Sequence, residues 1–572
     1  MYEWRKNLLV GLAIATSSAA LVHAQPAQSD ATLNVRITPE SAEGRVVAIR
    51  IREEISSPSI PAGRRFLTMP MQLESIPGVL TDPSTLKASD ATGPLPLVMS
   101  EDPPSADQFH QERHWSPARA TNGTIVVTYM ATPRAVTPKT QPGPLNDVRT
   151  EGSGIYGTTA LLLALPDADW PRRVTLQWSL NDMPPGARVS SSFGEGNSTT
   201  VLSRDQAQAG YFMAGPLFRL PPNGESKFTV YYLTPPKFDL DKAAAFTAAT
   251  YNYAGEFFHD SSKPFRVFMR TTDRFQGGGG GGYQSFMFGN VKGQDRDLDE
   301  VQHLMAHEAI HNWISSFGSG YAGKWFIEGG TEYYSTVIPR RAGLSSVAEF
   351  GKQINEWARD YYTNPRRTMS DTEATKVFLS DGGAQLLPYQ RGPLYIAQVD
   401  ARLRAASGGR RRVDELVRPM VQAIQKGNAN EALWAKLVAN ALGPRGAADY
   451  AAFKAGKLLV LPSNLFGACF RSKTVTYRAF DAGFRIEPDP DGTYHARFIS
   501  TGQAGSLAGL LDGDEIENNS AFAEARMHEG QPFTLHIKRG GVPMDLKVDP
   551  WGPPAQGLQW VRTATPEALC DL

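Results

Sequence analysis

The sequence predicts a multidomain α+β protein, with a β-rich first part, a mainly helical middle and a return to strands at the C-terminal end. Three observations predict it. The chain has 572 residues, which at about 150 residues per domain is room for roughly three or four domains. Short β-branched and apolar runs, separated by clusters of Pro, Gly, Asn and Ser, fill residues 32–240. From about residue 241 apolar positions recur at helical spacing, and after about 466 the strand-like pattern returns. Apolar residues make up 41% of the chain, enough for real cores. Lys+Arg and Asp+Glu both number 58. That balance argues against a protein built mainly to bind nucleic acid or an anionic membrane.

Residues 1–24 read as a signal peptide. Arg5 and Lys6 supply a positive start, residues 8–22 are mostly apolar or small, and Val22-His23-Ala24 fits a small-x-small cleavage site. The alternative is an uncleaved anchor, for which the apolar stretch is short. The expected mature chain begins at Gln25 and is exported, periplasmic or secreted. No Cys follows the cleavage site, so no lipid-anchored start is expected. The chain has two cysteines, Cys469 and Cys570. In an oxidising compartment they pair and tie together the ends of the C-terminal segment; the alternative is two unrelated buried thiols.

Residues 25–240 are expected to form a β-rich N-terminal domain. "GRVVAIRIRE" (44–53), "GTIVVTYMA" (123–131), "RRVTLQWSL" (172–180) and "SKFTVYYL" (226–233) are its clearest strands. They suggest a sandwich or a saddle-like sheet and carry no catalytic constellation.

Chemistry concentrates in residues 241–465. "LDEVQHLMAHEAIHNWISSF" places Leu298, Val301, Leu304, Met305, Ile310, Trp313 and Ile314 near one helix face. Asp295, Asp297, Asp299 and Glu300 crowd its start, where the helix dipole favours negative charge. Within it, His307 and His311 stand one helical turn apart, so both imidazoles can meet one metal. Glu308 between them is placed to act on a metal-bound water. A zinc site of this kind needs a third protein ligand and one open position. "KWFIEGGTEYYS" supplies Glu328, with sixteen residues between it and His311. Glu332, one turn further on, is the candidate to hold a ligating histidine by its other ring nitrogen, or is an ordinary surface carboxylate. His303 is read as structural or solvent-facing. The segments "SVAEFGKQINEWARDYY", "RVDELVRPMVQAIQ" and "ANEALWAKLVANAL" also read as helices.

Together "HEAIHNW" and "WFIEGGTEYYS" resemble the gluzincin metallopeptidases, above all the glycyl aminopeptidase family, with a more distant likeness to the aminopeptidase N family. The resemblance implies a thermolysin-like, mainly helical catalytic domain at 241–465. It implies one Zn²⁺ per chain on His307, His311 and Glu328, with Glu308 as general base. It also implies a tyrosine that stabilises the oxyanion, in a segment like "PYQRG", which makes Tyr389 that candidate. A PDZ-like domain is implied at 466–572. "GSLAGLLDGDEI" resembles the AGL-x-x-GD-x-I turn of such domains, the alternative being an ordinary turn before a strand. "DAGFRIEP" (481–488) would then be its loop for a peptide C-terminus.

The run "GGGGGGYQSFMF" begins at Gly277. By composition it is a flexible linker. The resemblance gives it another part, a strand beside the metal that pairs with extended substrate. Gly280, Gly281, Gly282 and Tyr283 are the substrate-binding candidates. In the exopeptidases this segment also carries a glutamate for the substrate's free amine, in a form such as GG-x-E. Here no acidic residue lies between Gln276 and Gln294. Asp273 or a distant carboxylate would have to substitute. The expectation is therefore an aminopeptidase-like zinc enzyme. The alternatives are a zinc endopeptidase that needs no free N-terminus, and a catalytically idle peptide-binding scaffold.

Overall fold

The structure, a computed structural model, describes residues 31–570 apart from 57–58, 74–75, 104–109, 137–139, 141–144, 262, 274–278, 316, 318–322, 379, 490–492, 519, 527 and 568–569. The expected signal peptide and the first glycines of the run lie outside the described residues. The chain divides into two compact units. One contains the chain up to Thr272 with residues 276–320 and 421–429, and the other contains residues 273–275, 321–420 and 430–572.

In the first unit, alternation in sequence becomes alternation in burial. The strand Thr32–Ala42 buries Leu33, Val35 and Ile37 and turns the residues between them outward. It lies between Arg172–Trp178, with which it runs parallel, and Arg45–Ile55, with which it runs antiparallel. These belong to a seven-stranded sheet that continues through Ile125–Ala131 to Lys87–Asp90 and Gly93–Pro94, with Ser198–Leu202 on the opposite edge. A second sheet orders Leu165–Pro166, Leu67–Leu73, His110–Pro117 and Leu97–Glu101. A third is built on Gly154–Thr158 and Tyr211–Gly215. One apolar cluster, running from Leu33 to Ala214, packs residues of all three sheets.

Phe228–Tyr232 joins a further sheet, of five strands, in the order Phe218–Leu220, Phe228–Tyr232, Phe265–Thr272, Ser285–Val291, Gly279–Gly282. Its three inner strands are parallel and its two outer pairings antiparallel. The helix Leu240–Phe257 lies between its second and third strands in sequence. The helical reading from residue 241 thus misses the strands Phe265–Thr272 and Ser285–Val291. Phe265–Thr272 is buried along nearly its whole length, so it lacks the alternation that marks a half-exposed strand.

The second unit contains the helices Lys324–Arg341, Val347–Thr363, Asp371–Lys376, Gly382–Ser407 and Glu431–Lys454. The last is interrupted at Gly443, where φ is 61° and Pro444 follows. Its C-terminal part pairs Phe470–Tyr477 with Ala555–Arg562 and ties Cys469 to Cys570 in a disulfide. A five-stranded antiparallel sheet follows, with Arg485–Pro488 at one edge. In "GSLAGLLDGDEI", Asp514 is buried, accepts from Leu511 N at 2.9 Å and pairs with Arg539 at 2.7 Å.

One buried acid breaks the apolar pattern. Glu53 takes an inward position in the row of Ile49, Ile51 and Ile55 and is fully buried. Its Oε1 is 2.8 Å from Tyr129 Oη and 3.2 Å from Ala164 N, while Tyr129 Oη also reaches Leu162 O at 2.9 Å. A phenol has one proton and cannot donate to both oxygens. A proton on Glu53 completes the chain from carboxyl to phenol to carbonyl. Burial, opposed by the Tyr129 and Ala164 contacts, pushes Glu53 up to about 8. The folded state therefore holds a proton that the unfolded chain loses above the ordinary 4.5. The stabilisation is complete below that value and is lost as pH rises through about 8. Glu53→Gln mimics the neutral acid. Relative to wild type it should gain up to about 5 kcal/mol between pH ~5 and ~9 in denaturant unfolding of the first unit. Parallel pH profiles for the two proteins would show that folding leaves the Glu53 titration unchanged, contrary to this account.

Candidate metal centre

The helix Leu298–Ile310 starts where Asp297 accepts from Asp299 N at 2.9 Å, with Asp299 and Glu300 in its first turn. It buries Val301, Leu304, Met305, Ala309 and Ile310, and with them His307 and Glu308. His311 caps the helix, so the helix ends sooner than its apolar periodicity suggests. The His307 and His311 rings stand edge-on at 4.9 Å and 82°. His311 Nδ1 lies 3.0 Å from Ile314 O. A carbonyl only accepts, so Nδ1 carries a proton, and in the neutral ring the lone pair is then on Nε2, the tautomer a metal ligand needs. The residues after the helix fasten this end. Asn312 Nδ2 donates to Tyr251 Oη at 2.8 Å, and Trp313 packs on Tyr251 and Phe258 and donates to Asp260 O. His303 is half-buried, its ring 6.5 Å from that of His307.

The described part of the glycine run is a strand, Gly279–Gly282, at the edge of its sheet. Gly280 pairs with Met287 and Gly281 with Phe286. A Cβ at Gly279 would meet the Phe286 ring at 2.5 Å, and one at Gly282 would meet Ala209 O at 2.6 Å. At Gly281 it would meet nothing within 4 Å. Packing thus demands two of these glycines and leaves the third facing open space. Tyr283 N donates to Ala209 O at 2.7 Å, and its ring stacks on Phe193 at 5.9 Å, against the N-terminal core. Gln284 follows with φ 47°.

The helix Lys324–Arg341 begins after Gly323, whose φ is 75°, and is buried from Lys324 to Pro339. Glu328 is fully buried, and its Oε1 pairs with Lys324 Nζ at 2.7 Å, one turn earlier. Lys324 Nζ also lies over the Phe378 ring at 5.9 Å. Sequence reasoning passed over Lys324, although its i,i+4 spacing to Glu328 is visible. Glu332 is no surface carboxylate. It is fully buried, and its Oε1 accepts from Trp357 Nε1 at 2.9 Å and Gln353 Nε2 at 3.3 Å.

Tyr389 sits, buried, in the helix Gly382–Ser407. This helix touches the Glu328 helix backbone to backbone. A Cβ at Gly329 would meet Gly392 Cα at 2.6 Å and Pro388 O at 3.0 Å, and one at Gly392 would meet Trp325 O at 2.6 Å. Only glycines allow that approach. The crossing brings the turn that carries Glu328 against the turn that carries Tyr389. Trp325, from the same crossing, packs on Tyr395, Trp434 and Phe453.

The family model described as M61 glycyl aminopeptidase matches residues 320–386, which include the whole "WFIEGGTEYYS" segment. No curated protein matches. Among solved structures, an aminopeptidase N family protein from Idiomarina loihiensis superposes with a TM-score of 0.65 at 14% identity, covering 94% of this chain and 99% of its own. An M1 zinc metallopeptidase from Deinococcus radiodurans, solved with a Tyr-Ser-Ala substrate, gives 0.46 at 14% identity, covering 76% of this chain and 95% of its own. The resemblance to the M61 glycyl aminopeptidases is thereby shown at the segment that carries Glu328, on a fold shared with an aminopeptidase N family protein.

Proposed function

We propose that this chain is an exported zinc metallopeptidase that hydrolyses peptide bonds, aminopeptidase-like in its architecture. The observation that carries the reading is the donor set: one buried and one half-buried imidazole one turn apart, the second with its Nδ1 donating to a carbonyl, and a fully buried carboxylate. Two nitrogens and one carboxylate are the ligands of a catalytic zinc with an open position. His307, His311 and Glu328 would hold one Zn²⁺. Lys324 holds one oxygen of the Glu328 carboxylate in place. When bound, the metal supplies Lewis acidity toward the scissile carbonyl and lowers the pKa of water to about 7. Glu308 takes the proton of the attacking water and delivers it to the leaving amine. Tyr389 donates a hydrogen bond from its phenol to the developing oxyanion. Glu332, fixed by Trp357 and Gln353, steadies a ligating histidine. Extended substrate pairs with the free edge at Gly280, Gly281 and Gly282, with the Tyr283 ring packed behind the turn.

A second reading within the class rests on Gln284. In the pattern GG-x-E this chain has Gly281-Gly282-Tyr283-Gln284, a neutral amide in place of the acid. An amide accepts a hydrogen bond from an ammonium but brings no charge to balance it. This favours an endopeptidase unless Asp273 or another carboxylate reaches the amine.

Export rests on residues 1–24 and agrees with the disulfide. Among the described residues no helix is long and apolar enough to cross a membrane. Residues 466–572 are read as a PDZ-like domain, which would take a peptide C-terminus at its edge strand Arg485–Pro488.

Zinc-loaded protein should cleave peptides in a chelator-sensitive way. Mass spectrometry of products from free and N-acetylated peptides separates the two readings. Cleavage of the free set alone, one residue at a time, means an aminopeptidase; internal cuts in both sets mean an endopeptidase. No cleavage of either set would overturn both. Gly392→Ala should cost about 1–3 kcal/mol of stability by overpacking and lower turnover while zinc content holds. Unchanged melting and turnover would remove the helix crossing from the account.

A further inference from the structure

A second group of metal-ligating side chains stands in the N-terminal region, on the sheet that contains Leu67–Leu73, His110–Pro117 and Leu97–Glu101. Thr68 and Ser100 pair with His114 from its two sides. Asp102 N donates to Glu112 O at 2.9 Å, so Asp102 continues the ladder opposite Glu112. Residues two apart on a strand share a face, as do residues directly opposite. Glu112, His114 and Asp102 therefore share one face, and their ligand atoms lie within 4.8 Å of one another. Two carboxylates directly opposite in a ladder repel, and here they flank a histidine that is itself buried.

Hydrogen-bond direction identifies the histidine's tautomer. Thr68 Oγ1 is 2.6 Å from Asp167 Oδ1. An ionised carboxylate only accepts, so the single hydroxyl proton of Thr68 points to Asp167. Toward His114 Nδ1, at 2.9 Å, Thr68 must then accept. The proton is on Nδ1, and Nε2 faces Asp102 Oδ1 at 3.0 Å. With both carboxylates ionised, either Nε2 is protonated as well and pairs with Asp102, or its lone pair and the carboxylates surround a cation. An imidazolium leaves the trio with net charge −1. A neutral imidazole with two carboxylates carries −2, which a dication matches.

We propose that Asp102, Glu112 and His114 bind a divalent transition-metal cation of the zinc type. One imidazole and two carboxylates suit Zn²⁺ and its neighbours better than Mg²⁺. The Thr68–Asp167 pair, outside the trio, holds the ligating histidine by its other nitrogen, as outer groups do at metal sites. His114 is buried while Asp102 and Glu112 are half-buried, which gives the ion a way in from solvent. A bound ion ties the ends of two strands together and steadies the N-terminal sheet. The proposal is independent of the peptidase reading.

The test is metal stoichiometry of the full chain after chelator stripping and equilibrium dialysis against Zn²⁺. The D102N/E112Q variant replaces both half-buried carboxylates isosterically. It should bind one Zn²⁺ fewer than wild type and lose the zinc-dependent rise in melting temperature. Equal stoichiometry and an equal melting response would overturn the proposal and leave an imidazolium–carboxylate pair. A His307→Ala/His311→Ala variant isolates the site: it should retain one Zn²⁺, and adding D102N/E112Q should abolish it. If that background does not fold, the comparison of wild type with D102N/E112Q still decides. Failure of the peptidase reading would instead show as a wild type that loses no zinc on replacement of His307 and His311.

Discussion

Burying a charge is the constraint on which the rest of this structure turns. An ionised group taken out of water costs several kcal/mol unless something specific receives it. The chain answers that cost repeatedly. Asp147 is fully buried, and burial alone would raise its pKa; Arg270, Arg149 and Arg134 around it hold it below the ordinary value. Glu53 has no cation and keeps its proton. Glu328 has Lys324, and Glu332 has an indole and an amide. Each of these four acids has a named partner or a proton, so each is held in one orientation. That preorganisation is what a metal site needs from its ligands and from the groups behind them.

Glycine supplies the complementary constraint. At Gly329 and Gly392 two helices meet with no side chain between them, and at Gly279 and Gly282 a strand edge fits against aromatic rings and a carbonyl. These positions trade conformational entropy for proximity. The residues beside them, Glu328 and Tyr389 in one case and the open Gly281 edge in the other, are those to which the proposed chemistry is assigned.

Much of this was legible in the sequence. Strands with one wet face announced themselves by alternation, as Arg45–Ile55 and Ile125–Ala131 show. The HEAIH and EGG segments stood out because metal chemistry fixes residue type and spacing together. Two cysteines left one pairing, and the structure has it. The strands Phe265–Thr272 and Ser285–Val291 were missed because strands covered on both faces do not alternate. The run of glycines read as a linker by composition, and only the resemblance gave it a sheet edge. Glu53 was illegible because its partners Tyr129 and Ala164 lie far along the chain. The trio Asp102, Glu112 and His114 was illegible for a related reason: register brings it together, and register between distant strands is not written in local sequence.

The central claim is that Glu308 performs acid–base chemistry beside a zinc it does not bind. Glu308→Gln keeps size and shape, and the measurement is zinc content and peptide hydrolysis in the same preparation. Zinc at the wild-type level with hydrolysis lowered by a factor of about 10² to 10⁴ is the predicted result. Hydrolysis at the wild-type rate, or zinc lost along with activity, would contradict the role given to this residue.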